Sequence, residues 1–210
     1  MENLDGAGNL LATETDAAAY RYHYHPDGRF LRWEVLDTEG KPAIGPTNTS
    51  GEDNHYVDLN FTAITFFDQK GQKTLHASGA AAWQFESDTY GNIIRVSFQG
   101  LDGKLIANRS AIFQRSYTYN TAGQYLVAIT NEDQSGQPIN SSDGYAIEEI
   151  ERGSKGLVMR RTYRNAQGVC VSRTSNGIAY ITYTYDANGK CIAQMGYDTN
   201  NKQVSEDRYP

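Results

Sequence analysis

Along this chain apolar and polar residues alternate at a period of two over short stretches, and no stretch holds a 3.6-residue period long enough to predict a helix. The alternation is itself repeated. Counted from a recurring turn residue (Gly28, Asn60, Gly91, Gly123, Gly156, Gly189), the third following position is apolar in every copy: Leu31, Ala63, Ile94, Leu126, Met159 and Ile192. The sixth preceding position holds Tyr22, Asn54, Phe85, Tyr117, Ile150 and Tyr183, and the fourth preceding holds Tyr24, Tyr56, Ser87, Tyr119, Arg152 and Tyr185. Apolar residues of one parity are what the buried face of an antiparallel hairpin requires.

A second ladder, Gly8, Gly40, Gly71, Gly103, Gly136, Gly168 and Asn201, interleaves with the first, and both climb in steps of 31 to 33 residues. Asp or Asn stands three places before most rungs: Asp5, Asp37, Asp68, Asp133, Asn165 and Asp198 in one ladder, Asp88, Asn120 and Asp186 in the other. An Asx residue at the first place of a four-residue turn bonds its own backbone, and Gly or Asn at the last accepts the left-handed conformation of a three-residue hairpin loop. Segments such as Asp37-Thr38-Glu39-Gly40 and Asp186-Ala187-Asn188-Gly189 are therefore predicted hairpin turns. A calcium-loop reading of the same Asp residues lacks the glutamate an EF-hand loop needs. Ten places before the first ladder stand Ala18, Ser50, Ala81, Ala146 and Ala179, with Phe113 the exception, which predicts close approach of neighbouring strands.

Each unit of about 32 residues thus reads as strand, turn, strand, second turn and a shorter extended segment, with units near 18–49, 50–80, 81–112, 113–145, 146–178 and 179–210. Residues 1–17 match the closing half of an earlier repeat, or a cap. The predicted fold class is all-β: tandem antiparallel hairpin repeats over 18–210 as one domain, forming an open twisted array or β-solenoid. A six-bladed, propeller-like closure is the alternative, although about 32 residues is short for a four-stranded blade.

Composition narrows the function classes. Among 210 residues, 25 are acidic and 19 basic, a net charge of −6, which argues against a nucleic-acid partner, since phosphate neutralisation needs clustered Lys and Arg. No apolar run approaches the ~20 residues of a membrane helix, so no membrane insertion is expected. The opening Met1-Glu2-Asn3-Leu4-Asp5 lacks the basic start and apolar core of a secretory leader; a cell-surface or secreted location stays open if the chain is part of a longer protein.

Chemistry-bearing motifs are sparse. There is no Gly-x-Ser-x-Gly elbow, no phosphate loop and no dinucleotide fingerprint; Gly6-Ala7-Gly8 belongs to a hairpin turn. Cys170 and Cys191 are too few for a disulfide framework or a closed zinc site, yet each falls two residues after a turn glycine, so a cross-strand pairing is left open. His23 and His25, two apart, could share a face and hold a transition metal, or simply face solvent. Glu148, Glu149 and Glu151 against Arg160, Arg161, Arg164 and Arg173 predict an ion-paired face across one hairpin. The sequons at Asn48, Asn60, Asn108 and Asn140 read as loop composition. No cofactor, no metal and no catalytic residue is expected.

Tyrosine is the remaining signal: 15 Tyr against 7 Phe and 2 Trp. Tyr20, Tyr22, Tyr24, Trp33, Trp83, Tyr117, Tyr119, Tyr183 and Tyr185 form the candidate binding surface, because aromatic faces with hydroxyl tips suit sugars and protein partners. The same residues, stacked along a sheet, would also build the core of a polar repeat array. The run Tyr183-Thr184-Tyr185-Asp186-Ala187-Asn188-Gly189-Lys190, with Gly196-Tyr197-Asp198 beyond it, resembles the tyrosine–aspartate (YD, or Rhs-type) repeats of bacterial surface and toxin proteins, and the whole unit resembles the Gly-rich hairpin repeats of the WG and MORN-like groups. Trp only at 33 and 83 departs from the tryptophan comb of choline-binding repeats. The resemblance implies a binding or presenting scaffold, not an enzyme, within a larger bacterial protein and with a protein or cell-surface glycan partner. Its alternative is a purely structural or interaction segment of a toxin or defence assembly.

Overall fold

The computed structural model describes residues 17–209; the predicted opening half-repeat, with its Asp5–Gly8 turn, lies outside them except for Ala17. The described residues form strands and turns, without a helix. The first strands are Ala19–Tyr24 (β1), Phe30–Leu36 (β2), Gly51–Val57 (β3), Asn60–Phe67 (β4), Ala82–Ser87 (β5) and Ile93–Gln99 (β6). They are followed by Gln114–Tyr119 (β7), Leu126–Glu132 (β8), Ile147–Arg152 (β9), Val158–Arg164 (β10), Tyr180–Tyr185 (β11), Cys191–Tyr197 (β12) and Gln203–Arg208 (β13). Strand order in the sheet is chain order, β1 to β13, so among the described residues β1 and β13 are its ends and the array is open. The propeller-like closure is thereby corrected: every hairpin extends one hydrogen-bonded sheet edge to edge, whereas a blade is a separate small sheet. Two compact units divide the chain, one of residues up to Glu86 with Val96–Asn108, the other of Ser87–Arg95 with the residues from Arg109 on.

Within each unit the repeat is built as the turn chemistry requires. Asp37 Oδ1 accepts the backbone N–H groups of Glu39 and Lys41 at 2.8 and 2.9 Å, and Gly40, at φ 76°, donates its N–H to the Asp37 carbonyl. Asp133, Asn165, Asp186 and Asp198 do the same for their own loops. These Asx side-chain oxygens are engaged by backbone, which explains the Asp ladder by turn chemistry. Where the first ladder closes a hairpin, the register slips by one residue, as between His23 and Tyr24 or between Thr184 and Tyr185, the bulge expected beside a left-handed glycine.

Two loops depart from the predicted ladder. Asn60 does not close a turn: it opens β4, paired with Val57, and Asp58 at φ 54° carries the left-handed conformation in a connection one residue shorter. The loop at Gly123 is one residue longer, with the Asn120 N–H reaching Tyr125, where Asp186 reaches Lys190. The nearly constant spacing had hidden both changes.

The excursion between second turn and next strand holds the core. After the turn the chain touches its own strand by a single bridge, Leu36 to Pro42 or Arg164 to Cys170, then turns again before the next hairpin. One residue per repeat is gripped from both sides. The Val35 N–H donates to Ser50 and its carbonyl accepts from Ala43; Tyr163 does the same with Ala179 and Val171, and Asn131 with Ala146 and Ile139. Val35, Phe66, Asn131 and Tyr163 are accordingly almost fully buried. Ser50, Ala81, Ala146 and Ala179, the predicted small positions, are wholly buried where the chain crosses under this grip. Phe113 breaks the rule of size but keeps the backbone role, donating to Glu132 as Ala146 donates to Arg164.

The last repeat differs. After Asn201 the chain does not make the crossing excursion but lies along β12 as β13, from Tyr197 opposite Gln203 to Ala193 opposite Arg208. Gly196 stands where earlier repeats carry a large buried residue; a Cβ there would meet the side chains of Ser205 and Ile178.

Candidate functional site

The first hairpin gathers five aromatic residues on one face: Tyr20 and Trp33 pack against the buried Ala17, Val35 and Ala43, and Tyr22 and Tyr24 stay exposed beyond them. Cross-strand partners share a face, and Tyr20 pairs with Val35, Tyr22 with Trp33 and Tyr24 with Phe30. Ring centroids lie 5.7 Å apart for Tyr20 and Trp33, 6.0 Å for Tyr22 and Phe30, and 5.6 Å for Tyr24 and Phe30, all tilted. Tyr22 is 46% and Tyr24 61% exposed. β3 then adds a carboxylate, because Glu52 pairs with Trp33. Tyr20, Tyr22, Phe30, Trp33 and Glu52 line a pocket of about 260 Å³. Burial pushes the Glu52 carboxyl above its ordinary value, and a hydrogen bond from Trp33 opposes that rise.

The other face of this hairpin is ionic. Arg32 holds Asp53 in two bonds of 2.5 and 2.8 Å, His23 Nε2 lies 2.9 Å from Glu34, and Arg21 reaches the same carboxylate at 3.6 Å. His25 is not beside His23 on the strand; it lies in the turn and bonds Asp27 at 2.8 Å. Their predicted common face does not form, and among the described residues no group of three or more His, Cys, Asp or Glu could hold a metal ion. Cys170 and Cys191 are both free thiols.

The rest of the candidate surface is dispersed. Trp83 packs edge-on against Phe66 at 5.3 Å and Phe98 at 6.2 Å, with His76 at 5.5 Å, inside a core cluster. Tyr119 and Tyr185 serve as clasps between repeats. Each hydroxyl donates to a backbone carbonyl of the preceding hairpin, Ile93 at 3.1 Å and Val158 at 2.7 Å. Tyr56 does the same to Phe30 at 2.9 Å, and at the equivalent position Arg152 Nε donates to Leu126 at 3.2 Å. The clasp is needed because adjacent hairpins pair over three residues only, such as Arg160–Thr162 with Tyr180–Thr182, and their tips splay beyond. Between the splayed tips of β9–β10 and β11–β12 lies a groove of about 480 Å³ lined by Lys155, Leu157, Met159, Tyr183 and Tyr185. Burial raises the hydroxyls of Tyr183 and Tyr185 above the usual tyrosine value. Tyr117 is half-buried in the middle of β7.

Two of the predicted ion pairs form, Arg161 with Glu148 at 2.5 Å and Arg164 with Glu149 at 2.7 Å, but the register puts them on opposite faces of the sheet, so the predicted single ion-paired face is not built. Arg173 binds Asp143 at 2.5 Å while lying over the rings of Tyr163 and Tyr145. Sequence reasoning missed Phe30, Glu52, Leu157 and Met159. Glu52 had a usable signal, a carboxylate two places after a small buried position on the parity of the aromatic face.

What these elements define is an open antiparallel hairpin-repeat scaffold. No family model matches the chain, and no curated protein does. Among solved structures it is similar to TcdB2-TccC3-TEV, at 14% identity and a TM-score of 0.43, over 99% of this chain and 12% of that one. It is also similar to the Photorhabdus luminescens Tc holotoxin pore (14% identity, TM-score 0.44, 99% and 11% covered) and to TcdB2-TccC3 without its hypervariable C-terminal region (13%, 0.37, 90% and 13%). The chain spans about an eighth of the length of these structures.

Proposed function

We propose that the chain is a non-catalytic repeat scaffold, a module of a larger bacterial protein, that holds a protein or glycan partner on the aromatic face of its first hairpin. One observation carries this reading: Tyr20, Tyr22, Tyr24, Phe30 and Trp33 share one sheet face with Glu52, and the tyrosines among them at the strand end stay exposed. Apolar faces with a few convergent polar groups are the usual chemistry of a binding surface. Catalysis draws no comparable support. His23 and His25 meet carboxylates in ordinary surface pairs, and neither lines the pocket at Trp33 or the groove at Tyr185.

A purely structural segment of a toxin or defence assembly is the second reading, favoured by the Tyr119 and Tyr185 clasps, which turn two candidate residues inward to the array. The two separate on one experiment. Trp33→Ala and Tyr22→Ala are compared with Arg21→Ala, on the opposite face, in binding to a glycan array and to the candidate partner chains of the parent protein. Loss confined to the aromatic-face variants supports the binding reading. Equal binding by all three variants, or none by the native chain, supports the structural one.

A further inference from the structure

We infer that the pocket formed by Tyr20, Tyr22, Phe30 and Trp33, bounded by Glu52, receives the ammonium group of a lysine side chain presented by a protein partner. The inference rests on the binding reading above and names the ligand of that surface.

Among the described residues, Glu52 is a half-buried carboxylate with no cation paired to it. The influences on it are burial and the hydrogen bond from Trp33, with no positive charge among them. The basic groups nearby are committed elsewhere: Arg32 to Asp53, Arg21 and His23 to Glu34 on the opposite face, and Arg29 to Asp27. An isolated carboxylate at a partly desolvated site costs free energy that a bound cation would return. The aromatic faces act in the same direction, since the negative face of each ring attracts a cation centred over it. The net charge of −6 adds a long-range pull of the same sign.

The geometry separates ammonium from its rivals. A neutral sugar would gain the ring surfaces but leave the carboxylate uncompensated. A guanidinium prefers a carboxylate with both oxygens available for a bidentate fork, and Trp33 already occupies Glu52. An ammonium is a compact charge needing one good acceptor, and its methylene stem suits the apolar floor. The volume, about 260 Å³, fits a head group rather than a whole ligand.

The test is a titration of the full chain with Nα-acetyl-lysine methylamide at low salt and pH 7, read from the Trp33 indole NMR signal, which Trp83→Phe assigns. Saturable binding is expected at millimolar strength, weakened about tenfold by Glu52→Gln and by Tyr22→Ala. The Nζ-acetylated probe should be silent, and affinity should fall as the pH drops through the titration of Glu52. Equal response to the neutral probe, or full affinity in Glu52→Gln, overturns the proposal. Should methyl glycosides shift Trp33 where lysine does not, the ammonium assignment fails and the binding reading survives. Should neither probe act while the parent protein's partners also ignore Trp33→Ala, both fail. Melting of Glu52→Gln at or above the native temperature confirms that the variant folds.

Discussion

Tyr185→Phe removes one oxygen and nothing else. That oxygen donates at 2.7 Å to the carbonyl of Val158, at the point where β10 has parted from β11 and no strand N–H is available. Two effects combine: loss of a hydrogen bond, net about 1 kcal/mol, and an acceptor left short of a partner at a half-buried site, which raises the cost towards 2. Tyr119→Phe repeats the perturbation at Ile93 across a longer bond of 3.1 Å, so its cost should lie at the lower end. Tyr24 supplies the reference. It holds the same place in the first hairpin, is 61% exposed, and makes no such bond among the described residues. Tyr24→Phe should change stability by less than about 0.5 kcal/mol. For a chain of this length each lost kcal/mol lowers the melting temperature by about 2–4 °C. Urea unfolding followed by circular dichroism measures the differences. Native-state hydrogen exchange then locates them, since a repeat array can open one interface without global unfolding. Equal losses at Tyr24 and Tyr185, or no loss at Tyr185, would show that the recurrent tyrosine does not clasp neighbouring hairpins.

Backbone strain, close packing and buried titratable groups set the remaining expectations. Ala111 sits in the left-handed region at φ 60°, where glycine is found in three of the equivalent turns, so Ala111→Gly should stabilise the chain by about 0.5–1 kcal/mol in thermal melts. A Cβ on Gly51 would overlap the Trp33 carbonyl and the Phe67 ring, so Gly51→Ala should cost 2 kcal/mol or more, of order the worst overpacking changes. Tyr119, Tyr145, Tyr163, Tyr183 and Tyr185 all titrate above the ordinary tyrosine value, chiefly through burial. Groups of raised folded pKa contribute stability that is complete below the unfolded value and is lost as pH climbs through the folded one. The protein should therefore hold its stability to about pH 10 and lose it above, with absorbance at 295 nm showing late, cooperative tyrosinate formation. Glu52 follows the same sign in the acid range. Its carboxyl is raised, so the folded state is favoured with the proton on, and Glu52→Gln should stabilise at pH 7 but not below the ordinary carboxyl range.

The ladder of turns was legible because its chemistry is local. An Asx residue bonding its own backbone and a glycine closing the loop need no knowledge of what lies across the sheet, and Asp37–Gly40 and Asp186–Gly189 fold as that logic requires. The open topology was legible for a related reason, since 32 residues cannot supply a four-stranded blade. A third turn per repeat escaped notice. Its left-handed residues are Asn48, Gly79, Ala111, Gly144 and Gly177, two places before Ser50, Ala81, Phe113, Ala146 and Ala179. Asn and Ala dilute the glycine signal, and the loops at Asp58 and Gly123, one residue shorter and one longer, blur the frame. The small residues were noticed and their turn was not, although the second explains the first: the chain must double back tightly before it can cross under Val35 or Tyr163.

The tyrosine stripe shows where a period-based reading of sequence stops being able to assign function. Position by position, the repeats place chemically equal residues in unequal surroundings. At the fourth place before the turn, Tyr56, Tyr119 and Tyr185 spend their hydroxyls on a neighbour's carbonyl, and Arg152 performs the same task with a guanidinium. What the position requires is a long side chain with a donor at its tip, and tyrosine is one solution. A count of tyrosines therefore overstates the binding surface. The residues that remain available are those whose ring is exposed and whose hydroxyl no carbonyl claims, which in the first hairpin means Tyr22 and Tyr24 beside Trp33. Glu52 reaches that surface because β3 pairs against β2 with Trp33 opposite, a register set by the excursion through Gly45 and Asn48. No periodicity within one repeat could have announced it. The carboxylate and the rings belong to different repeats, and only the crossing between them makes a site.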